Sequence, residues 1–156
     1  MSLLTVIIPN YNGKKYLGDC LRSLEKQTFI AFDVIIVDNG STDGSADYIK
    51  ANWPNVELIE LSENTGFANA VNVGIKAADS EYVFLLNNDT CCDEYALERL
   101  IKVMDSKKKL FSAQAKMLQM KEPHNIDDCG DLYCALAGPL PPARMRITAT
   151  LPAGSP

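Results

Sequence analysis

A single histidine, His124, lies in a Glu-Pro-His-Asn segment that reads as a surface loop. With one imidazole available, catalytic triads and histidine-rich metal centres are nearly excluded. The five cysteines, Cys20, Cys91, Cys92, Cys129 and Cys134, are odd in number and form no CxxC pair. That pattern argues against a disulfide framework or a zinc site and for reduced thiols in a cytosolic setting. No apolar run approaches the roughly 18 residues of a membrane-crossing helix. The opening Met-Ser-Leu-Leu-Thr lacks a basic region, so it does not read as a signal peptide. Positive charge is in deficit as well: 15 Lys and Arg against 20 Asp and Glu give a formal charge of -5. An acidic chain gains little from a phosphate backbone, which disfavours general nucleic-acid binding. There is no G-x-G-x-x-G after the first apolar run and no G-x-x-x-x-G-K-[ST] anywhere, which argues against a dehydrogenase and a P-loop NTPase.

What remains is an ordinary globular balance, 47% hydrophobic and 22% charged over 156 residues, enough for one domain with a real core. Short apolar runs at 4–8, 33–37, 56–61 and 82–86 read as strands. Between and after them lie segments of helical spacing at 14–27, up to about Asn52, 66–78 and 93–104. The strands are continuous apolar runs rather than alternating ones, as strands covered on both faces require. This βαβαβαβ order predicts an α/β fold, a mostly parallel sheet with helices on both faces and right-handed crossovers. Ligands of such sheets bind beyond the carboxyl ends of the strands, near a switch in strand order. Four polar segments occupy those ends: Pro9-Asn10-Tyr11-Asn12, Asp38-Asn39-Gly40-Ser41, Ser62-Glu63-Asn64-Thr65-Gly66 and Asn87-Asn88-Asp89-Thr90.

The pattern weakens after Lys109. The stretch 110–120 reads as a further strand and 121–131 as a loop. Five of the eight prolines fall in the last 18 residues, and no Asp or Glu follows Asp131. The reading therefore places a domain at 1–134 and a Pro-rich tail, poorly ordered or extended, at 135–156.

Asp89 closes the fourth strand with two asparagines before it. A hard cation such as Mg2+ or Mn2+ often takes a single protein carboxylate and completes its shell with water and substrate phosphate, so Asp89 is the candidate metal ligand. The plainer role of a turn or cap residue falls to Thr90 or Asp93 instead. Asp38, at the end of the second strand, can accept from a nucleobase N–H or a ribose hydroxyl. One of Ser41, Thr42 and Asp43 is expected to cap the next helix. Tyr11 either stacks on a base or packs over the sheet edge. Gly66 opens the approach of a phosphate to a helix N-terminus. Asn69 and Asn72 are three apart on that helix, where Asn is mildly unfavourable, so at least one is expected to face the cleft. Lys107-Lys108-Lys109 reads as a solvated helix end, and Cys91 and Cys92 as packing residues.

These segments together resemble family 2 glycosyltransferases. Thr5-Val6-Ile7-Ile8-Pro9-Asn10-Tyr11-Asn12-Gly13 looks like the opening of that family, and 34–45, from Val34 through Asp38 to Ser45, like its second strand and loop. Asn64-Thr65-Gly66-Phe67-Ala68 with Asn72 and Gly74 resembles the third block. The run from Tyr82 to Asp89 resembles the strand carrying the D-x-D-like metal motif. The Asn-Asn-Asp form and the run from Asn64 to Asn69 resemble the rhamnosyltransferase-like branch. The likeness covers 4 to about 105 and, more loosely, to about 134. It implies a GT-A fold (the Rossmann-like nucleotide-diphospho-sugar transferase fold) and an inverting glycosyltransferase of polysaccharide biosynthesis at the cell envelope. Its donor would be a nucleoside-diphosphate sugar, UDP- or dTDP-linked by preference. Pro9, Tyr11, Asn12, Asp38, Asn39, Gly66, Phe67, Asn72 and Asn88 would bind that donor, and Asp89 the Mn2+ or Mg2+. The acceptor would be a saccharide or a lipid-linked hydroxyl. The setting would be cytoplasmic or peripheral to the inner membrane face, with homodimerisation through surface left uncovered.

The catalytic base of such enzymes lies on a later acidic segment, and Asp127, Asp128 and Asp131 precede the place where it would fall. The catalytic residue is therefore unassigned, and the expectation is a donor half that transfers poorly. The alternative is a non-catalytic nucleotide-binding or interaction module. A nucleotidyltransferase-like domain would need a Gly-rich basic loop after the first strand, and a receiver-like domain an acidic cluster there. Residues 9–13 offer neither.

Overall fold

A computed structural model of the chain describes residues 2–106, 110–118, 126–128 and 145–147. The elements are β1 (Leu4–Asn10), α1 (Lys14–Glu25), β2 (Phe32–Asp38), α2 (Ser45–Asn52), β3 (Glu57–Glu60), α3 (Phe67–Ala77), β4 (Tyr82–Leu85), α4 (Ala96–Ser106), β5 (Met117–Leu118), β6 (Ile126–Asp128) and β7 (Met145–Ile147). Five strands form one sheet in the order β3-β2-β1-β4-β7, and every pairing in it is parallel. β5 and β6 pair antiparallel beside it.

The expected two-sided burial is present. Alternate residues of a strand face opposite ways. Leu4, Val6 and Ile8 therefore join Leu17, Leu21 and Leu24 of α1, Ile49 of α2 and Leu97, Leu100 and Ile101 of α4 in one cluster. Ile7 points the other way and joins Ile35, Val37 and Val83 beneath Ala70 on α3. The small residues of α3 have a steric reason. A Cβ on Gly74 would stand 2.5 Å from Ile7 Cγ2 and 3.2 Å from Val37 Cγ2, so the helix lies hard against the sheet.

β1 runs through Pro9 to Asn10, two residues past its expected stop. The Ile7 carbonyl accepts from the Leu86 N–H at 3.0 Å, so Ile7 faces β4, and Pro9, two residues on, faces the same side. Pairing with β4 ends at Ile7 opposite Leu85, so the missing N–H of Pro9 removes no ladder bond. On the other side pairing continues to Asn10 opposite Asp38. The sheet thus parts between β1 and β4 while staying closed between β1 and β2. That gap is also where the strand order reverses, since β2 and β3 step out on one side of β1 and β4 begins on the other.

Other boundaries moved for local reasons. α1 stops at Glu25 because the Gln27 side chain is used as a tie. Gln27 Nε2 donates to the Ser23 and Asp93 carbonyls at 3.1 and 2.7 Å, and its Oε1 accepts from the Leu97 N–H at 3.1 Å. α4 starts at Ala96, not at Asp93, and Asp93 Oδ1 instead accepts from the Tyr95 N–H at 3.1 Å. The strand expected over 110–120 shortens to Met117–Leu118, and its partner Ile126–Asp128 falls in the stretch read as a loop. Cross-strand pairing makes that partner, and an Ile-Asp-Asp triplet carries no periodicity by which to foresee it. Met145–Ile147 lies within the stretch read as a tail and pairs with β4 as an edge strand. Lys107–Lys109, His124, Cys129, Asp131, Cys134 and the rest of the tail lie outside the described residues.

The Gly74 contact gives a test whose sign is informative. At an open helical position Gly→Ala stabilises by about 1 kcal/mol. Here Gly74→Ala is expected to destabilise by about 1–3 kcal/mol, because the β-branched Ile7 methyl cannot swing away. Urea denaturation of the two proteins decides it, and a higher midpoint for the variant would contradict the packing described.

Candidate functional site

Three of the four polar strand ends meet at Asn10. Its side chain is 1% exposed and Asp38 is 3% exposed. Asn10 Nδ2 donates to Asp38 Oδ1 at 2.7 Å and contacts Ser41 Oγ at 3.2 Å. Asn10 Oδ1 accepts from Asn88 Nδ2 at 2.7 Å. The second carboxylate oxygen of Asp38 accepts from the Ser41 N–H at 3.0 Å. A buried carboxylate left bare would be costly, so these N–H donors are what permits Asp38 at this depth. The sequence reading does not single out Asn10 as a site residue; the signal it offers is an amide one residue past Pro9, at the end of a buried apolar run.

The third and second strand ends are joined by Asn39, which is also buried. Its Nδ2 donates to Asn64 Oδ1 at 3.0 Å, and its Oδ1 accepts from the Thr65 N–H at 2.9 Å and the Thr65 hydroxyl at 3.0 Å. Asn64 Oδ1 accepts in turn from the Gly66 N–H at 3.0 Å. This contact demands Gly40, whose φ is +73° and whose added Cβ would strike the Glu63 backbone at 2.6 Å. Gly66 holds φ 86° and ψ 158°, a conformation nearly confined to glycine, with open space where a Cβ would stand. It leads into the first turn of α3, which carries no acidic residue. Asn69 Nδ2 donates to Thr65 Oγ1 at 2.8 Å and so braces the loop, whereas Asn72 is exposed.

Asp43 supplies the helix cap expected of one residue among 41–43, and it serves two helices. Its Oδ1 accepts from the Ser45 N–H at 3.0 Å at the start of α2, and its Oδ2 from the Lys14 N–H at 2.9 Å at the start of α1. Burial pushes its carboxyl up, but the bonds from the Ser45 hydroxyl and from the Lys14 and Ser45 N–H groups outweigh that and hold it below its ordinary value. Asn12 has φ +50°, accepts from the Thr42 N–H at 2.8 Å through Oδ1 and donates its own N–H to Ser41 Oγ at 2.9 Å.

Around this buried frame the remaining candidates are open to solvent. Tyr11 is 50% exposed and Phe67 59% exposed. Asp89 is exposed in the turn four residues past β4 and makes no hydrogen bond or ion pair among the described residues. No three His, Cys, Asp or Glu side chains gather as a ligand set among the described residues. A single free carboxylate still suits a hard ion that draws its other oxygens from phosphate and water. Beneath it Cys20 is buried and its Sγ contacts the Asn87 carbonyl at 3.8 Å. Burial pushes the Cys20 and Cys92 thiols up to about 12, which makes them inert packing groups. Cys91 corrects the sequence reading: it is exposed and does not pack. A concavity of about 610 Å³ lies at the opposite, amino end of the strands, lined by Thr5, Phe32, Trp53 and Ala78 among others. None of the candidate donor- or metal-binding residues lines it.

The family model for glycosyl transferase family 2 matches residues 5–126. Glycosyltransferase GlyG of Streptococcus pneumoniae is 33% identical over 108 residues, which is 67% of this chain and 36% of GlyG. The poly(ribitol-phosphate) beta-N-acetylglucosaminyltransferase TarS of Staphylococcus aureus is 32% identical over 110 residues, 67% of this chain and 19% of TarS. The structure of TarS 1-349 in complex with UDP-GlcNAc superposes with a TM-score of 0.64 at 30% identity, covering 74% of this chain and 35% of that one. A mannosyltransferase from Pyrobaculum calidifontis has the same fold, with a TM-score of 0.67 at 24% identity over 74% of this chain and 36% of that one. The chain thus spans well under two thirds of each of these proteins.

The double cap at Asp43 is testable by pH. A carboxyl held below its unfolded value adds stability that is present above the unfolded pKa and lost as pH falls through the folded one. Asp43→Asn is therefore expected to lower the urea midpoint at pH 7, with the gap to wild type closing as pH approaches 3. A gap that stays constant across that range would rule out the charged cap.

Proposed function

The chain belongs to glycosyl transferase family 2, and from that premise we propose that its strand-end cleft binds a nucleoside-diphosphate sugar for transfer to an acceptor hydroxyl. The observation that supports this most is the placement of exposed Tyr11, Gly66, Phe67 and Asp89 and half-buried Asn88 around a buried Asn-Asp frame, at the point where the sheet parts. A parallel sheet takes its ligand there. UDP and UDP-GlcNAc bound to TarS support a uridine donor, with dTDP second. The acceptor in this reading is a saccharide or lipid-linked hydroxyl of a cell-envelope polymer, and the poly(ribitol-phosphate) in the name of TarS supports a polymer acceptor. No helix among the described residues is long and apolar enough to cross a membrane.

In this reading the exposed Tyr11 ring stacks on the base, and Asp38, although buried, keeps lone pairs at the cleft floor for a base N–H or a ribose hydroxyl. Gly66 admits phosphate to the uncapped N–H groups of α3. Asp89 holds Mn2+ or Mg2+, which when bound neutralises charge on the diphosphate leaving group. The acceptor oxygen attacks the anomeric carbon from the side opposite the departing diphosphate, with inversion. Its proton goes to a base that the sequence motifs do not identify. The second reading, a nucleotide-binding module without transfer, rests on that gap.

Calorimetry with UDP, dTDP, GDP and CMP, each with and without Mn2+, tests the donor site. One diphosphate is expected to bind with metal and to weaken by about tenfold or more in Asp89→Ala, the scale of a lost charged contact. Absence of binding to all four would refute the donor site. Turnover of a UDP-sugar by this chain would remove the second reading.

A further inference from the structure

We infer that Asn10 is a positioning residue that fixes the polarity of Asn88, so that Asn88 offers the cleft a hydrogen-bond acceptor and selects a hydroxyl of the donor. This rests on the donor-site reading above. The argument is one of direction, and it holds whichever way each amide is first drawn. Both Asp38 oxygens take N–H donors, and a carboxylate only accepts. Asn10 must therefore turn its NH2 group to Asp38, and its carbonyl oxygen to Asn88. Asn88 in turn must give Asn10 its NH2 group. The carbonyl oxygen of Asn88 is left over. It makes no hydrogen bond among the described residues, and Asn88 is half-buried beside exposed Asp89.

A chain of two amides anchored on a buried carboxylate has one low-energy polarity. Reversing it would set the Asn10 oxygen against Asp38 and an NH2 group against an NH2 group. Steric room for the contact comes from Gly13, where an added Cβ would stand 2.0 Å from Asn88 Nδ2 and 2.5 Å from Asn10 Oδ1. The group that Asn88 takes must be a donor. A bare phosphate oxygen is repelled there, and the hydroxyls of a nucleotide sugar, on the ribose or on the transferred sugar, are accepted. An aspartate at 88 would carry two acceptors and no donor for Asn10, which gives a physical reason for asparagine beside Asp89.

The test is a cycle between protein and ligand. Calorimetry with Mn2+ compares UDP, 2′-deoxy-UDP, 3′-deoxy-UDP and UDP-GlcNAc on wild type, Asn10→Leu and Gly13→Ala. A ribose hydroxyl as the partner predicts that both variants weaken UDP about tenfold yet leave one deoxy form, already weak on wild type, unchanged. A sugar hydroxyl predicts that UDP is unchanged and UDP-GlcNAc weakened. Equal weakening of all four ligands, the outcome of a merely structural role, overturns the inference, as does no weakening of any. The polarity is also read without ligand, so the failure of nucleotide binding and the failure of the relay are separate outcomes. In the side-chain amide NMR spectrum, an Asn88 NH2 proton is expected downfield in wild type and at the free-amide position in Asn10→Leu. A free-amide shift in wild type overturns the relay, and wild type that binds no nucleotide but shows the downfield proton refutes only the donor site.

Discussion

The site depends on one hydrogen bond, 2.7 Å long, between the Asn10 amide and the Asp38 carboxylate at the carboxyl ends of the two central strands. Parallel strands bring their ends together but leave the chain to depart in different directions. Here the departures are pinned before they separate. From Asp38 the loop 39–44 turns back through Ser41, which accepts from Asn12 on the first loop. From Asn39 the third loop is gathered through Asn64 and Thr65. From Asn10 the fourth is gathered through Asn88.

Asparagine suits this task better than charged residues would. An amide carries both donors and an acceptor, so it can link a carboxylate to a second amide without adding charge. A second acid beside Asp38 would have to be neutralised, and a lysine would need room for hydration that a 1% exposed position does not have. In a low-dielectric setting each satisfied link is strong, and each broken one leaves a buried polar group costing about 1–3 kcal/mol. The frame is therefore rigid as a unit, which is what a site needs if its contact residues are to be held in place.

Much of this was legible in the sequence, and the limits are physical. Continuous β-branched runs such as Val34-Ile35-Ile36-Val37 can be buried on both faces in few ways, so the parallel sheet followed directly. The Asn-, Asp- and Gly-rich strand ends marked the cleft because polar residues there have no core to enter. Partnership was not legible. Nothing local says that Asp43 caps α1 from 29 residues away, or that Gln27 ties α1 to α4. Pro9 illustrates the difference. Read locally it stops a strand, yet it continues β1 because the side it faces is the one where β4 has already ended its pairing. The short strands β5, β6 and β7 exist only through pairing, so no period in the sequence announces them.

Burial then divides the motif residues into two kinds that a sequence cannot separate. Asn10, Asp38 and Asn39 are buried and spend their hydrogen bonds on one another and on the loops. Tyr11, Phe67 and Asp89 are exposed, and the two aromatics are too far into solvent to be held there by packing. An aromatic left half or more exposed gains only part of its burial energy in the free chain, and an exposed carboxylate without a partner among the described residues gains little from the fold. In the proposed reading, a nucleotide sugar entering the cleft supplies the contacts that the fold does not give them. The buried set explains how the loops are held, and in the proposed reading the exposed set is what they hold toward the ligand.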